Sequence, residues 1–153
     1  MLRYQLPEVG VNITRRIMVY AVIDTNVIVA SLLTKHHDSA TVRVMDAVYS
    51  GKLVPILNEE IISEYRDVLH RRRLGLNVEK CDFIISLISD LGIALDRIKS
   101  DIQMIDEKDR VFYEIALAGA EIGNSKLVTG NVKHYPEVDF VVTPSQLCEM
   151  MNI

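Results

Sequence analysis

Residues 17–23, "IMVYAVI", are apolar or aromatic at every position. A half-buried strand alternates wet and dry residues, whereas a strand covered on both faces does not. The segment therefore predicts the central strand of a parallel sheet with helices on both sides. It ends at Asp24, and a short helix follows from about Asn26 to Leu33. One carboxylate thus stands at the carboxyl end of a buried strand, where open α/β sheets form their working crevice.

The remaining segments extend the same alternation. Asp38 and Ser39 can cap a second helix that runs to Gly51, and "KLVPIL" (52–57) reads as a second strand. Pro55 lacks a ladder donor and marks that strand as an edge. Asn58 can cap a helix over 59–73, ended by Gly75, and Asn77 another to about Leu91, stopped by Gly92. "IALD" (93–96) is a short extended piece. Asp106 can cap a helix over 107–122. "KLVTG" (126–130) and "FVV" (140–142) complete the strands, and Thr143 with Pro144 starts a last helix. The pattern predicts an α/β fold, a three-layer α/β/α sandwich around a mainly parallel sheet. Residues 1–16, with Pro7 and Gly10, read as an extension ahead of a single domain over 17–153.

Length and composition narrow the function classes. A chain of 153 residues can bury one substantial core. Its net charge of −4 argues against a generally sticky nucleic-acid binder and confines any such contact to a local patch. The densest basic cluster is "HRRR" (70–73). No apolar run has transmembrane length and no signal-peptide shape is present, so a cytoplasmic protein without a membrane role is expected. Cys81 and Cys148 are far apart and read as free thiols.

Several polar residues converge on the crevice end of the sheet. Asn131 follows the strand that ends in "VTG", and Asp106 and Asp109 open the helix before that strand. On the helix over 59–73, Ile61, Ile62, Tyr65, Val68 and Leu69 form one apolar arc. Glu64 borders that arc, Glu59 points away, and Glu60 and Asp67 lie further round. Carboxylates gathered on one face repel unless a cation lies between them, and Mg²⁺ accepts such oxygen ligands. Such a site can polarise a phosphodiester and activate water. Each residue also has a plainer role. Asp24 and Asp106 can be helix caps, Asp109 half of a capping box, Glu64 a partner of Arg71 or Arg72, and Asn131 a turn residue. The ordered set favours the site reading more than any member does.

The stretches "VIDTNVIVASLL" (22–33), "PILNEEIISEYRDVLHR" (55–71), "DEKDRVFYEIALAGA" (106–120), "LVTGNVKHYP" (127–136) and "VVTPSQLCEMM" (141–151) together resemble a PIN domain. The likeness is to the VapC-like branch of toxin components in toxin–antitoxin pairs. It implies an endoribonuclease dependent on Mg²⁺ or Mn²⁺, with Asp24, Glu64 and Asp109 as catalytic metal holders. Asn26 would orient the Asp24 loop and Thr129 would line the site. Many PIN domains carry a fourth acid where this chain has Asn131, and an amide adds no charge. Asp106 is the residue able to compensate. Arg71, Arg72 and His134 are candidates for RNA contact.

The resemblance further implies an RNA substrate, a cognate antitoxin and a homodimer. The helix over 78–91 carries more apolar residues than one face needs, consistent with a docking surface or with plain burial. Two other functions compete. One is a catalytically silent PIN-like module that binds RNA or antitoxin. The other is a HAD-like phosphatase with Asp24 as nucleophile, although its expected second acid is replaced by Asn26.

Overall fold

The computed structural model describes residues 18–153, so the expected extension over 1–16 lies outside the described residues. Five strands form one parallel sheet: β1 (Val19–Ile23), β2 (Leu53–Leu57), β3 (Ile93–Ala94), β4 (Asn124–Val128) and β5 (Val141–Val142). Their spatial order is β3-β2-β1-β4-β5, and every neighbouring pair is parallel. Six α-helices connect and cover them: α1 (Thr25–Leu33), α2 (Ala40–Tyr49), α3 (Glu59–Leu69), α4 (Val78–Leu91), α5 (Arg110–Ala120) and α6 (Pro144–Met151). This is the three-layer α/β/α sandwich expected.

The chain leaves β1 toward β2 on one side and later returns to pair β4 on the other. Strand order therefore reverses between β1 and β4, and a crevice opens outside their carboxyl ends. β1 is central, as its uniformly apolar sequence predicts: Ala21, Val22 and Ile23 are fully buried. α5 packs against β4, β1 and β2, while α2 packs against β2 and beside α1 and α6.

Local chemistry starts the helices where the sequence indicated. Ser39, Asn58 and Asn77 each accept a hydrogen bond from a backbone N–H in the first turn of α2, α3 and α4. Thr143 and Gln146 form a reciprocal capping box at α6. Both cysteines are buried and free.

Three expectations are corrected. β2 is not an edge strand; it lies between β1 and β3. Pro55 is tolerated because β3 pairs only with Ile56 and Leu57. The Pro55 carbonyl points at Gly92, just ahead of β3, so the missing donor falls beyond the end of that short ladder. A Cβ on Gly92 would meet this oxygen at 2.8 Å, which suits glycine there. Next, α3 stops at Leu69 rather than 73. Arg71 is extended, and Arg72–Leu74 form a separate 3₁₀ turn closed by Gly75 in the left-handed region. The His70 ring meets Asp82 at 2.6 Å and ties this end of α3 to α4. Last, the helix expected over 107–122 divides into a 3₁₀ turn at Glu107–Asp109 and α5 proper. Asp106 caps that turn by accepting from the Lys108 N–H at 3.0 Å, and Asp109 makes no returning bond, so no capping box forms.

α5 lies close against the sheet at Gly119. A Cβ there would stand 2.4 Å from Ser125 Oγ and 2.6 Å from Ile56 Cδ1. Gly119→Ala gains helix propensity but overpacks the α5–sheet contact, for a net loss of about 1–2 kcal/mol. Thermal unfolding should show a melting temperature several degrees lower, and an unchanged one would mean that Ile56 yields freely.

Candidate active site

Asp24 is the N-cap of α1, and its carboxylate is almost fully buried. Its own N–H donates to the Val128 carbonyl at 2.9 Å, binding the end of β1 to the end of β4. Thr129 Oγ1 donates to Asp24 Oδ2 at 2.8 Å, and the Tyr135 hydroxyl donates to the same oxygen at 3.0 Å. The other oxygen, Oδ1, accepts one long contact from the Asn26 N–H at 3.5 Å. Two hydroxyls thus fix the carboxylate by one oxygen and leave Oδ1 the less engaged. Burial pushes the Asp24 carboxyl above its ordinary range, against these hydrogen bonds, which favour the ionised form.

Asn26 buttresses the same corner. Its Oδ1 accepts from the Gly130 N–H at 3.0 Å and its Nδ2 donates to Thr129 Oγ1 at 3.4 Å. Thr129 Oγ1 also accepts from the Asn131 N–H at 3.0 Å. Asn26 and Thr129 both lie beside Asp24, joined to it and to each other by these contacts. Tyr135 is buried, and its hydroxyl holds Asp24. A second tyrosine, Tyr65 of α3, donates its hydroxyl to the Ile23 carbonyl and fixes the strand end from below. Sequence offered no signal for either hydroxyl beyond the presence of a tyrosine in an apolar setting.

Asp109 stands at the entry to α5, largely shielded from solvent. Its carboxyl is pushed up to about 6, first by burial, then by the negative charges of Asp24 and Asp106, with His134 opposing. Two carboxylates from distant parts of the chain therefore feel each other across the crevice. His134 Nδ1 lies 3.4 Å from Asp109 Oδ2, and its ring also meets Asn131 Nδ2 at 3.3 Å. His134 thus has a charge partner and sits at the site mouth. Asn131 and Asp106 are exposed on the rim.

Glu64 is not gathered into this pair. It lines an adjoining groove with Glu60, Asp67, Arg97, Glu107, Lys108 and Val111. Among the described residues, no three of His, Cys, Asp and Glu form a group arranged to hold one metal ion. Arg71 faces Asp67 at 4.0 Å, not Glu64, and Arg71 and Arg72 lie at the far end of α3. The donor set nevertheless fits a hard cation. Asp24 and Asp109 supply oxygen, repel each other, and match the one or two carboxylates that Mg²⁺ takes while keeping several waters.

Burial of Asp109, together with that repulsion, has a consequence for the metal-free protein. A carboxyl whose folded pKa lies above its unfolded value binds protons preferentially in the native state. For Asp109 that holds between the ordinary value of 3.8 and about 6, so native stability falls as pH rises through about 6. In chelator, the melting temperature should be higher at pH 5.5 than at pH 7.5. Asp109→Asn should flatten this dependence, and Mn²⁺ at pH 7.5 should restore what the higher pH removes. An identical pH dependence in native protein and Asp109→Asn would show that the Asp109 carboxyl is not held above its ordinary range.

A family model described as PIN domain matches residues 20–133. No curated protein and no solved structure gives a significant match. The matched span runs from Tyr20 in β1 past β4, takes in Asp24, Glu64, Asp109 and Asn131, and stops one residue short of His134.

Proposed function

Because this chain belongs to the PIN domain family, whose members are in general nucleases, we propose that it is a divalent-metal-dependent endoribonuclease. We propose further that it is the toxin component of a VapC-like pair, held inactive by a cognate antitoxin. The observation that carries the nuclease reading is the buried Asp24 carboxylate, held through one oxygen by Thr129 and Tyr135 at the end of β1, where strand order reverses. Asp24 and Asp109 would hold the ion, Mg²⁺ or Mn²⁺, and Glu64 would complete the set from the adjoining groove. An ion held there supplies polarisation of the scissile phosphate and acidifies an attacking water.

The chain's own residues have separable tasks. Thr129 and Tyr135 donate to Asp24 Oδ2, which favours the ionised carboxylate against burial and leaves Oδ1 the less engaged oxygen. Asn26 fixes Thr129 and Gly130 relative to α1, so the β1 and β4 ends move as one unit. His134, held between Asp109 and Asn131, is placed to meet the substrate backbone. Asn131 offers an amide where an acid would add charge. Attack by water leaves a 5′-phosphate on the product, and no side chain forms a covalent bond to it. Among the described residues no helix is long and apolar enough to cross a membrane.

The test is cleavage of single-stranded RNA in Mn²⁺, Mg²⁺ or EDTA by the native chain and by Glu64→Gln. Cleavage that requires the metal, and is reduced about tenfold or more by Glu64→Gln, is expected. Binding of RNA without any metal-dependent cleavage would instead favour a silent PIN-like module, a reading to which the separation of Glu64 from the acidic pair lends weight.

A further inference from the structure

We propose that the cavity between the turn after β4 and the start of α6 is a base-binding subsite that selects guanine in a single-stranded RNA. The choice of an RNA base as ligand rests on the nuclease reading, whereas the selection among bases follows from the side chains around the cavity.

The cavity has a volume of about 540 Å³, in the range of sites that enclose one small molecule. Tyr135 joins it to the Asp24 crevice. The tyrosine borders the cavity, and its hydroxyl donates to Asp24 Oδ2 at 3.0 Å. A ligand held there is one tyrosine side chain from the carboxylate. Pro136, Val138 and Val141 supply an apolar wall against which a flat base can pack.

Four polar side chains border the same cavity: Lys133, Glu137, Thr143 and Gln146. The capping box of α6 fixes what two of them can still offer. The Thr143 N–H donates to Gln146 Oε1 at 2.9 Å, and the Gln146 N–H donates to Thr143 Oγ1 at 3.1 Å. Gln146 Oε1 is thereby engaged, so Nε2 is its free end, and Thr143 keeps its hydroxyl proton to give. Among the described residues neither Lys133 nor Glu137 takes part in an ion pair. These side chains therefore present donors from Lys133, Thr143 and Gln146 and one strong acceptor, Glu137.

That combination matches guanine. An ionised carboxylate only accepts. Guanine sets two donors side by side, N1–H and the N2 amino group, and carries the acceptors O6 and N7 on the neighbouring edge. Glu137 suits the donor edge, and Thr143 and Gln146 suit the acceptor edge. Adenine and cytosine place a ring-nitrogen lone pair beside their amino group, which would set lone pair against lone pair at Glu137. Uracil has one ring N–H between two carbonyl oxygens. A base that leaves polar groups of the site unpaired is rejected more strongly than one that merely fits loosely. Lys133, exposed at the rim beside His134, is left to meet the phosphate of the bound nucleotide.

The test is a titration of the full, isotope-labelled chain in EDTA with each of the four nucleoside 5′-monophosphates, up to roughly 10 mM, read by backbone amide shifts. Guanosine 5′-monophosphate should move the amides of Lys133, Glu137, Val138 and Gln146 saturably, and bind about tenfold or more tightly than the other nucleotides. Glu137→Gln should remove most of that preference, and the exposed position of Glu137 leaves the core untouched. Lys133→Ala should weaken all four nucleotides alike. Shifts confined to residues around Asp24, equal affinity for the four bases, or a preference that survives Glu137→Gln each overturn the proposal. Mapping of RNA cut sites in Mn²⁺ separates it from the nuclease reading. Guanine should be enriched at one fixed position beside the cut, and Glu137→Gln should abolish the enrichment with cleavage retained. Cleavage indifferent to guanine overturns the subsite and leaves the nuclease standing. Selective binding of guanosine 5′-monophosphate without metal-dependent cleavage supports the subsite and overturns the nuclease.

Discussion

Asp24→Asn is expected to lower metal-dependent RNA cleavage by about 10³-fold or more, since it removes charge where a cation and a phosphate must be held together. The substitution keeps the shape of the side chain. An amide oxygen in place of Oδ2 still accepts from Thr129 and Tyr135, and α1 retains a capping-competent residue. Loss of activity therefore should not be loss of fold. The melting temperature in chelator at pH 7.5 should stay level or rise, because a buried charge facing Asp109 has been neutralised. A variant that cleaves at the native rate would remove Asp24 from the chemistry. A variant that is inactive but unfolded would leave Thr129→Val and Tyr135→Phe as the deciding pair, each expected to lower the rate without loss of the helix cap.

The largest effect on stability is expected at Arg97. Glu114 lies in α5 with its side chain 4% exposed, an acid in the middle of a helix that is otherwise core. Arg97 donates to its Oε1 from Nε at 3.0 Å and from Nη2 at 2.9 Å, and the Ser100 N–H donates to Oε2 at 3.0 Å. Arg97 also reaches Glu60 of α3 at 2.8 Å, so one guanidinium joins α3, α5 and the segment after β3. Arg97→Met leaves a buried carboxylate with one backbone donor, at a cost of about 3 kcal/mol or more. Urea unfolding should show this as a lower midpoint with an unchanged slope. Arg97→Met/Glu114→Met should be more stable than Arg97→Met alone, because a well-packed apolar pair avoids the stranded charge. A single substitution that costs nothing would mean that water reaches Glu114 and takes over the role of Arg97.

Helix starts and the buried strand were legible because each depends on a few adjacent residues. Ser39, Asn58, Asn77 and Thr143 cap the helices they precede, and the unbroken apolar run before Asp24 lies at the centre of the sheet. Pro55 misled for the complementary reason. Whether its missing N–H matters depends on how far β3 extends alongside, and the residues of β2 carry no record of that. Glu114 went unremarked because a single acid in an apolar helix looks the same whether it is solvated or paired. Its partner Arg97 belongs to a different segment.

The candidate site divides in the same way. Asp24 and Asp109 were marked from the strand end and the helix start, both local features. That their charges act on one another, while Glu64 lines a neighbouring groove, follows only from the packing of α3 and α5 against the sheet. Tyr135 became the second donor to Asp24 because the turn after β4 folds back over the end of β1. Sequence by itself determined the alternation of strands and helices and the carboxylates at their ends, since periodicity and capping act over a few residues. Tertiary structure alone decided which of those carboxylates face each other and which hydroxyls hold them. Those distances are set by side-chain packing between segments separated by up to about a hundred residues, where no local rule reaches.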